Sequence, residues 1–257
     1  MRAPHLHLHA DGGSLGRPSP PRRSPRLASL PVARRSLGPR LLVILLVLLA
    51  LLLAFPAESQ HRFVLQLSGG GAWNARTPVT LEQEGEPDLD FSASFETRPF
   101  EQPLYWALKA SLQDRKGAWE LQLLHHKLYL TDPPPQVQHL EVTHGFNLVT
   151  FGRSFPLGSG FAARAAAGVV VAHTESVVRG SYEGGSGTFS GYELAGPAFF
   201  GGAGWQRPLG RHFLLSAEAA VSAARARVSV ARGHATFWNV AAHALVGLGF
   251  RFGGPLP

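Results

Sequence analysis

The chain has 257 residues and a formal net charge of +7, with 29 glycines, 20 prolines and no cysteine. Without cysteine, neither disulfides nor thiolate metal sites can hold the fold. Residues 1–59 contain eight arginines against Asp11 and Glu58, which leaves a net charge of only +1 for residues 60–257. A nucleic-acid-binding surface would carry its positive charge on the folded domain, so we expect no nucleic-acid partner.

Residues 1–40 are rich in proline, arginine and serine without periodicity, which predicts a basic disordered prefix. The 15-residue apolar run 41–55 follows, with three arginines shortly before it and the helix-breaking Pro56 directly after it. Its length fits the core of a signal peptide, about 7–15 residues, better than a transmembrane helix, which needs about 20. We therefore expect export by Sec, with cleavage after Ser59 or after Ala57. An uncleaved signal anchor is the alternative.

The remaining domain, residues 60–257, alternates between strand-like segments and turns and contains no convincing amphipathic helix. In residues 62–67, for example, Phe63, Leu65 and Leu67 share one face, because successive side chains of a strand point to opposite sides. Glycine and proline clusters separate such segments. The predicted strands are 62–67, 77–82, 88–96, 104–113, 118–129, 139–153, 161–173, 192–205, 211–223, 225–230 and 237–252.

Two of these strands, 118–129 and 138–153, can be aligned through the loop that contains three consecutive prolines. Pairing Tyr129 with Gln138 places mostly apolar residues on one face and mostly polar residues on the other, and a slip of one residue would mix them. This register predicts that His126 lies directly opposite Glu141. The region is also rich in histidine: His125, His126, His139, His144 and, on the next strand, His173.

The last strand, 237–252, shows the clearest alternation. Every second residue from Trp238 is apolar, whereas the other set is small or polar with a few apolar members. Its sixteen residues exceed an ordinary strand of about 5–6 residues. A membrane-crossing strand needs about 9–11, with an apolar outer face and aromatic residues at both membrane surfaces. Trp238 at one end, and Phe250 and Phe252 at the other, occupy those positions.

This strand resembles the last strand of Gram-negative outer-membrane β-barrel proteins, which ends in an aromatic residue that the assembly machinery recognises. Phe252 matches that residue, although five more residues follow it. The resemblance implies an all-β fold, namely a transmembrane antiparallel up-and-down β-barrel of eight to ten strands. It also implies a location in the cell outer membrane, with outer-membrane lipid and the barrel-assembly machinery as partners.

The spacing of the turns agrees with such a barrel. Short turns at 113–117, 155–160 and 206–210 alternate with longer connections at 130–137, 175–190 and 224–236, as expected for short periplasmic turns and longer extracellular loops. The strand number is even when both termini lie in the periplasm. Ten strands result if 77–82 is a wall strand, and eight if residues 60–85 lie outside the wall; we favour ten.

The histidines allow three interpretations. They can form a polar network that fills the lumen, which we favour. They can include a catalytic histidine, since some small outer-membrane barrels modify lipid A; His126, Glu141 and His144 are then the candidates. They can also form a metal site, because histidines at alternate strand positions can bind zinc, although His125 and His126 point to opposite faces. The expectation is no catalytic residue, no metal and no cofactor.

A barrel of eight strands is just filled by its own side chains, whereas general-diffusion porins use about 16–18. We therefore expect a structural or surface-interaction role, with an unknown surface ligand. One alternative is a lipid A-modifying enzyme of the deacylase or acyltransferase type that uses the histidines. A second is a secreted soluble lipocalin-like barrel, which would alternate equally well and differ in which face is apolar.

Overall fold

The computed structural model describes residues 62–184 and 191–252. The predicted prefix, the apolar run 41–55 and both predicted cleavage positions lie outside these residues. In the described ranges, no helix is long and apolar enough to cross a membrane. The strands are β1 (Arg62–Asn74), β2 (Thr77–Gln83), β3 (Leu89–Ala93), β4 (Phe95–Glu96), β5 (Trp106–Asp114), β6 (Gly117–Leu130), β7 (Val137–Gly158), β8 (Phe161–His173), β9 (Glu175–Val178), β10 (Ser181–Glu183), β11 (Tyr192–Leu209), β12 (Phe213–Val230) and β13 (Gly233–Phe252).

Eight of these strands form a closed antiparallel wall in the order β1, β5, β6, β7, β8, β11, β12 and β13, and β13 pairs with β1 to close it. When the paired residues are followed from strand to strand once around the wall, starting at Phe63, the path returns to β1 at Trp73. This position is ten residues further along the strand. With ordinary strand spacings, this stagger tilts the strands by about 40° from the barrel axis. The fold is therefore an all-β, eight-stranded up-and-down barrel, as the sequence predicted at the lower limit of its range.

The other five strands extend this wall at one end. β2 continues β1 along the same partner, β13, and β3 pairs with β2. β4 pairs with the end of β6, β9 pairs with β7, and β10 pairs with β9. The strand predicted over 77–82 is confirmed, but it prolongs β1 and is not a separate wall strand. The favoured count of ten is therefore wrong, and β1 lies in the wall.

The two ends of the barrel differ in their connections. The turn end carries both described termini and three short turns, after β5, β7 and β11, as predicted. At the opposite hairpin end, the predicted long connection 224–236 is mostly strand: β12 runs to Val230 and β13 begins at Gly233. The pairing persists because Arg225 and Arg227 point outward while Ala226 and Val228 are buried, so the alternation continues.

The outer face of the barrel carries an apolar belt. On β13 the set that begins at Trp238 points outward, as predicted. From Phe63 to Trp73 the belt on β1 rises about 25 Å along the axis, the height of the apolar band of a transmembrane barrel. Exposed aromatic residues mark both edges: Phe155, Phe161, Phe213, Phe250 and Phe252 at the turn end, and Trp73 and Trp238 at the other.

A charged side chain also lies on this outer face. The Arg153 guanidinium lies over the Trp119 ring, 5.0 Å from its centroid, and reaches to within 3.7 Å of Asp114 at the turn end. Long cationic side chains commonly extend along apolar surface so that the charge reaches the membrane boundary. Arg153 is therefore compatible with lipid around the belt.

The barrel interior is apolar in its hairpin half. Side chains from β2, β4, β6, β7, β8, β11, β12 and β13 meet there and are almost fully buried. The larger ones include Val79, Leu81, Phe95, Leu124, Leu128, Val142, Phe146, Leu148, Val170, Phe200, Val228 and Phe237. This core stabilises the extended hairpins and blocks the axis of the barrel.

Between β4 and β5, residues 98–104 leave the wall and pass over its outer side, whereas Thr97 and Tyr105 at the two ends of this segment are buried. Lys127 of β6, which is fully buried, donates hydrogen bonds from Nζ to the carbonyl oxygens of Arg98 (2.7 Å) and Glu101 (2.8 Å). The ring of Pro99 approaches the outward side of Gly71 on β1. The Lys127 ammonium group therefore anchors the middle of this segment to the barrel, in addition to the stacking of Arg98 over the Tyr129 ring.

Replacing Lys127 with methionine should release residues 98–104 while the barrel stays folded. Loss of charged hydrogen bonds worth at least about 1.5 kcal/mol should increase local opening by about tenfold or more. Digestion of the folded barrel with a glutamate-specific protease should show faster cleavage after Glu101. The control variant Lys116→Met, in a turn at the opposite end, should be cleaved at the wild-type rate. If both variants and the wild type are cleaved at the same rate, Lys127 does not hold the segment.

Candidate functional site: the barrel interior and an outer histidine–glutamate cluster

The predicted register between β6 and β7 is wrong. His126 pairs with Phe146, and Glu141 pairs with Tyr129. Beyond His126 the register shifts, and Thr143, His144 and Gly145 together bulge opposite Lys127. Gly145 has φ of 139°, a conformation that a side chain would strain. On both sides of this bulge, the faces of β7 are the reverse of those predicted, so Val142 and Phe146 point into the barrel and not outward.

The five histidines divide between the two sides of the wall. His126 is fully buried inside, with Nε2 3.0 Å from Asn74 Oδ1. His125 lies on the outer side, stacked on Trp106 at 5.5 Å between ring centroids. His139, His144 and His173 lie near the hairpin end, where the outward apolar run of β8 ends. The lumen network predicted for the whole group therefore holds for His126.

The three catalytic candidates are not brought together. His126 is inside the barrel, whereas Glu141 and His144 are on its outer surface. Glu141 accepts a hydrogen bond from the Thr143 hydroxyl (3.0 Å) and lies 3.3 Å from His139 Nε2. A shared reaction at one substrate would need all three on the same side of the wall.

The interior contains a hydrogen-bonded triplet that the sequence interpretation missed. His243 Nδ1 is 2.7 Å from the Tyr105 hydroxyl, and His243 Nε2 is 2.7 Å from the Ser222 hydroxyl. A hydroxyl beside an imidazole is the arrangement of an activated nucleophile. All three residues are at most 3% exposed, so the triplet acts as a buried polar network. The sequence feature that could have revealed the triplet is His243, a polar residue among the inward-facing residues of the last strand.

A second missed feature is a network of buried charges in the middle of the barrel. Glu218 of β12 lies 2.8 Å from Lys109 Nζ of β5 and 3.2 Å from Arg164 Nη1 of β8. Arg164 Nε is also 2.6 Å from the Glu120 carboxylate of β6. The network contains two positive and two negative groups and connects four wall strands. Its sequence signal was a single charge within an otherwise small or apolar strand, such as Arg164 among alanines.

A cavity of about 440 Å³ lies between this network and the turn end. Arg62, Arg115 and Arg251 line it, together with Arg164 and Glu218 of the network. The lining contains turn-end residues but none of the apolar core. The cavity is therefore a polar vestibule that ends inside the barrel.

The distribution of polarity is the reverse of that in a soluble protein. The charged side chains of Lys109, Glu120, Arg164 and Glu218 are buried inside the barrel, while an apolar belt about 25 Å high covers the outside. Every wall strand has a partner on both sides, so no sheet edge is exposed to lipid. The fold is a small transmembrane β-barrel.

No protein-family model and no curated protein matches the sequence. Among solved structures, the outer-membrane protein AlkL is 11% identical, with a TM-score of 0.42, over 77% of this chain and 95% of that one. Ail, the attachment invasion locus protein of Yersinia pestis, is 10% identical, with a TM-score of 0.35, over 75% and 97%. Neisserial surface protein A is 8% identical, with a TM-score of 0.35, over 76% and 98%. The barrel assignment rests on this chain's own strand pairing.

Above the belt, the outer face carries a histidine–glutamate cluster, which consists of His139, Glu141, His144, His173 and Glu175. His144 Nδ1 is 3.3 Å from Glu175 Oε1. The His173 ring packs against His144 and against Tyr192, each at 5.1 Å between ring centroids. His144, His173 and Glu175 have donor atoms within 4.8 Å of one another. These three residues could hold a metal ion.

Proposed function

We propose that the protein is a closed outer-membrane β-barrel with a structural or surface-interaction role. In this proposal the turn end faces the periplasm and the hairpin end faces the outside, because short periplasmic turns and longer extracellular connections are typical of these barrels. Residues 1–59 then act as the prefix and signal peptide, and the mature chain begins at Gln60. Outer-membrane lipid surrounds the belt between Phe63 and Trp73.

The observation that carries the proposal is the filled interior. The vestibule at the turn end stops at the ion network of Lys109, Arg164 and Glu218. Beyond it lie the triplet around His243 and then the apolar core. Water and ions have no path through such packed layers. The surface left for interaction is therefore the hairpin end and not a pore.

The alternatives receive less support. A soluble lipocalin-like barrel would expose a polar outer face, whereas Val246 and Leu248 are 62% and 58% exposed on this one. A lipid-modifying enzyme would need an accessible group of catalytic residues. The candidates lie on opposite sides of the wall, and the Ser222 hydroxyl is fully buried.

Two measurements on the purified full chain test the proposal. In an electrophoresis gel, the unheated protein from the outer-membrane fraction should migrate faster than the boiled protein. In a planar lipid bilayer it should give no stable conductance, while a general-diffusion porin in parallel gives its normal steps. Stable channel openings would contradict the closed interior, and recovery of the protein in the soluble fraction would contradict the membrane location.

A further inference from the structure

The acidic residues of the histidine–glutamate cluster face each other across two strands. Glu141 of β7 and Glu175 of β9 are direct cross-strand partners. Like charges in this position destabilise a sheet unless cations compensate them. Histidines surround the pair: His139 Nε2 is 3.3 Å from Glu141, and His144 Nδ1 is 3.3 Å from Glu175. The site therefore combines paired negative charge with several imidazole nitrogens.

The positions of the donors follow from the strands. His173 and Glu175 are two residues apart on β8 and its continuation β9, so both point outward. His144 belongs to the bulge that Gly145 permits, and within this bulge it points outward beside them. The Tyr192 hydroxyl donates a hydrogen bond to the His144 carbonyl oxygen, which ties the bulge to β11. Three strands thus bring the donors to one place.

The spacing of the donors suits a metal ion. Two ligands of a tetrahedral zinc ion, each about 2.0–2.1 Å from the metal, are about 3.3 Å apart. His144 Nδ1 and Glu175 Oε1 already have this separation, 3.3 Å, and all three donors lie within 4.8 Å. The His173 residue is 3% exposed, whereas the His144 side chain is 57% exposed. One imidazole is held in place, and the other can turn to complete the site.

We propose that His144, His173 and Glu175 bind a divalent transition-metal ion of the zinc class on the outer wall, above the lipid belt. Two imidazoles favour such an ion over calcium or magnesium, which prefer oxygen ligands. Three protein ligands leave the fourth position for water or for the carboxylate of Glu141. The site goes beyond the proposed role of the barrel, because it depends on the strand geometry and not on a closed interior.

Metal titration of the folded full chain tests this proposal. The protein is produced without a polyhistidine tag, purified in detergent, stripped with a chelator and titrated with ZnCl2 against a chromophoric chelator. We expect one zinc ion per barrel. His144→Ala and Glu175→Gln should each lower the affinity by more than about tenfold. His212→Ala, in the turn between β11 and β12 at the opposite end of the barrel, is the control and should bind as the wild type does.

Two additional readouts make the result decisive. The mobility shift on heating shows that each variant is folded, and the visible absorption of Co²⁺ in place of zinc should show tetrahedral coordination that disappears in His144→Ala. The proposal is overturned if the folded wild type shows no saturable one-to-one binding, because the residues then form ion pairs only. It is also overturned if all three variants bind alike, because binding is then spread over surface histidines.

Discussion

Glu218→Gln should lower the free energy of unfolding of the barrel by about 3–5 kcal/mol, the usual cost of removing one partner from a buried ion pair. The Glu218 carboxylate contacts both Lys109 and Arg164, and the side chains of all three are at most 7% exposed. Its neutralisation leaves two buried cations with only Glu120 to balance them. The cost comes from this uncompensated charge, because glutamine keeps nearly the same volume.

A double-mutant cycle separates charge balance from packing. Lys109→Met alone leaves two carboxylates with Arg164, whereas Lys109→Met with Glu218→Gln leaves the neutral pair of Arg164 and Glu120. The double variant should therefore lose less stability than the sum of the single variants. Urea unfolding in lipid vesicles, followed by tryptophan fluorescence, measures each value.

An exposed carboxylate provides the control for this cycle. Glu82 lies 4.0 Å from Arg227, and both side chains are more than half exposed. Glu82→Gln should change the stability by at most about 1 kcal/mol. Strictly additive losses in the Lys109 and Glu218 cycle would mean that the two groups do not act as one network.

The part of this fold that sequence alone predicted is the part with regular alternation. The last strand identified its outward face from Trp238 to Phe252, and the short turns at one end were placed to within a few residues. The outward face follows from a two-residue period that persists without interruption, and the turns follow from the glycine and proline clusters between the strands. Continuous alternation also explains why the predicted loop 224–236 is strand: the inward residues Ala226 and Val228 were small or apolar throughout.

The errors lie where the period is interrupted. The bulge at Gly145 turns His144 outward, although Phe146 and Val142, both an even number of residues away, point inward. Counting along the strand cannot reveal the extra residues of a bulge. The predicted register also assumed that apolar residues of β7 face lipid, whereas Phe146 and Leu148 fill the apolar half of the interior. An interior that changes from polar to apolar along its axis has no single alternation signature.

The candidate metal site could not be predicted from the sequence for a similar reason. His144, His173 and Glu175 come from two regions of the sequence that the β7–β8 pairing and the bulge bring together. The sequence showed that histidines are abundant here, but the side of the wall on which each one lies depends on the bulge. The buried charges left a clearer signal that the sequence interpretation did not use, since Arg164 and Glu218 each interrupt a run of small residues.

Val246→Arg should lower the stability in lipid vesicles by about 2–4 kcal/mol, because it places a cation against lipid near the middle of the membrane. Val246 is 62% exposed on the outer face and pairs with Gly69 of β1 and Ala217 of β12. These neighbours lie about halfway up the belt between Phe63 and Trp73. An arginine there is too far from either edge to place its guanidinium in water easily.

Gln206→Arg is the matched control, because Gln206 points into the polar vestibule at the turn end. The added charge can remain hydrated there, so we expect little loss of stability. Urea unfolding of both variants in vesicles gives the comparison. In water, an arginine on an exposed face would change the stability by only about 0.5 kcal/mol. Equal, small effects at both positions would therefore mean that the outer face meets water and would exclude lipid around the belt. A loss of stability in Val246→Arg alone requires a low-dielectric environment around the middle of the belt. A closed barrel with an apolar outer belt has such an environment only inside a membrane.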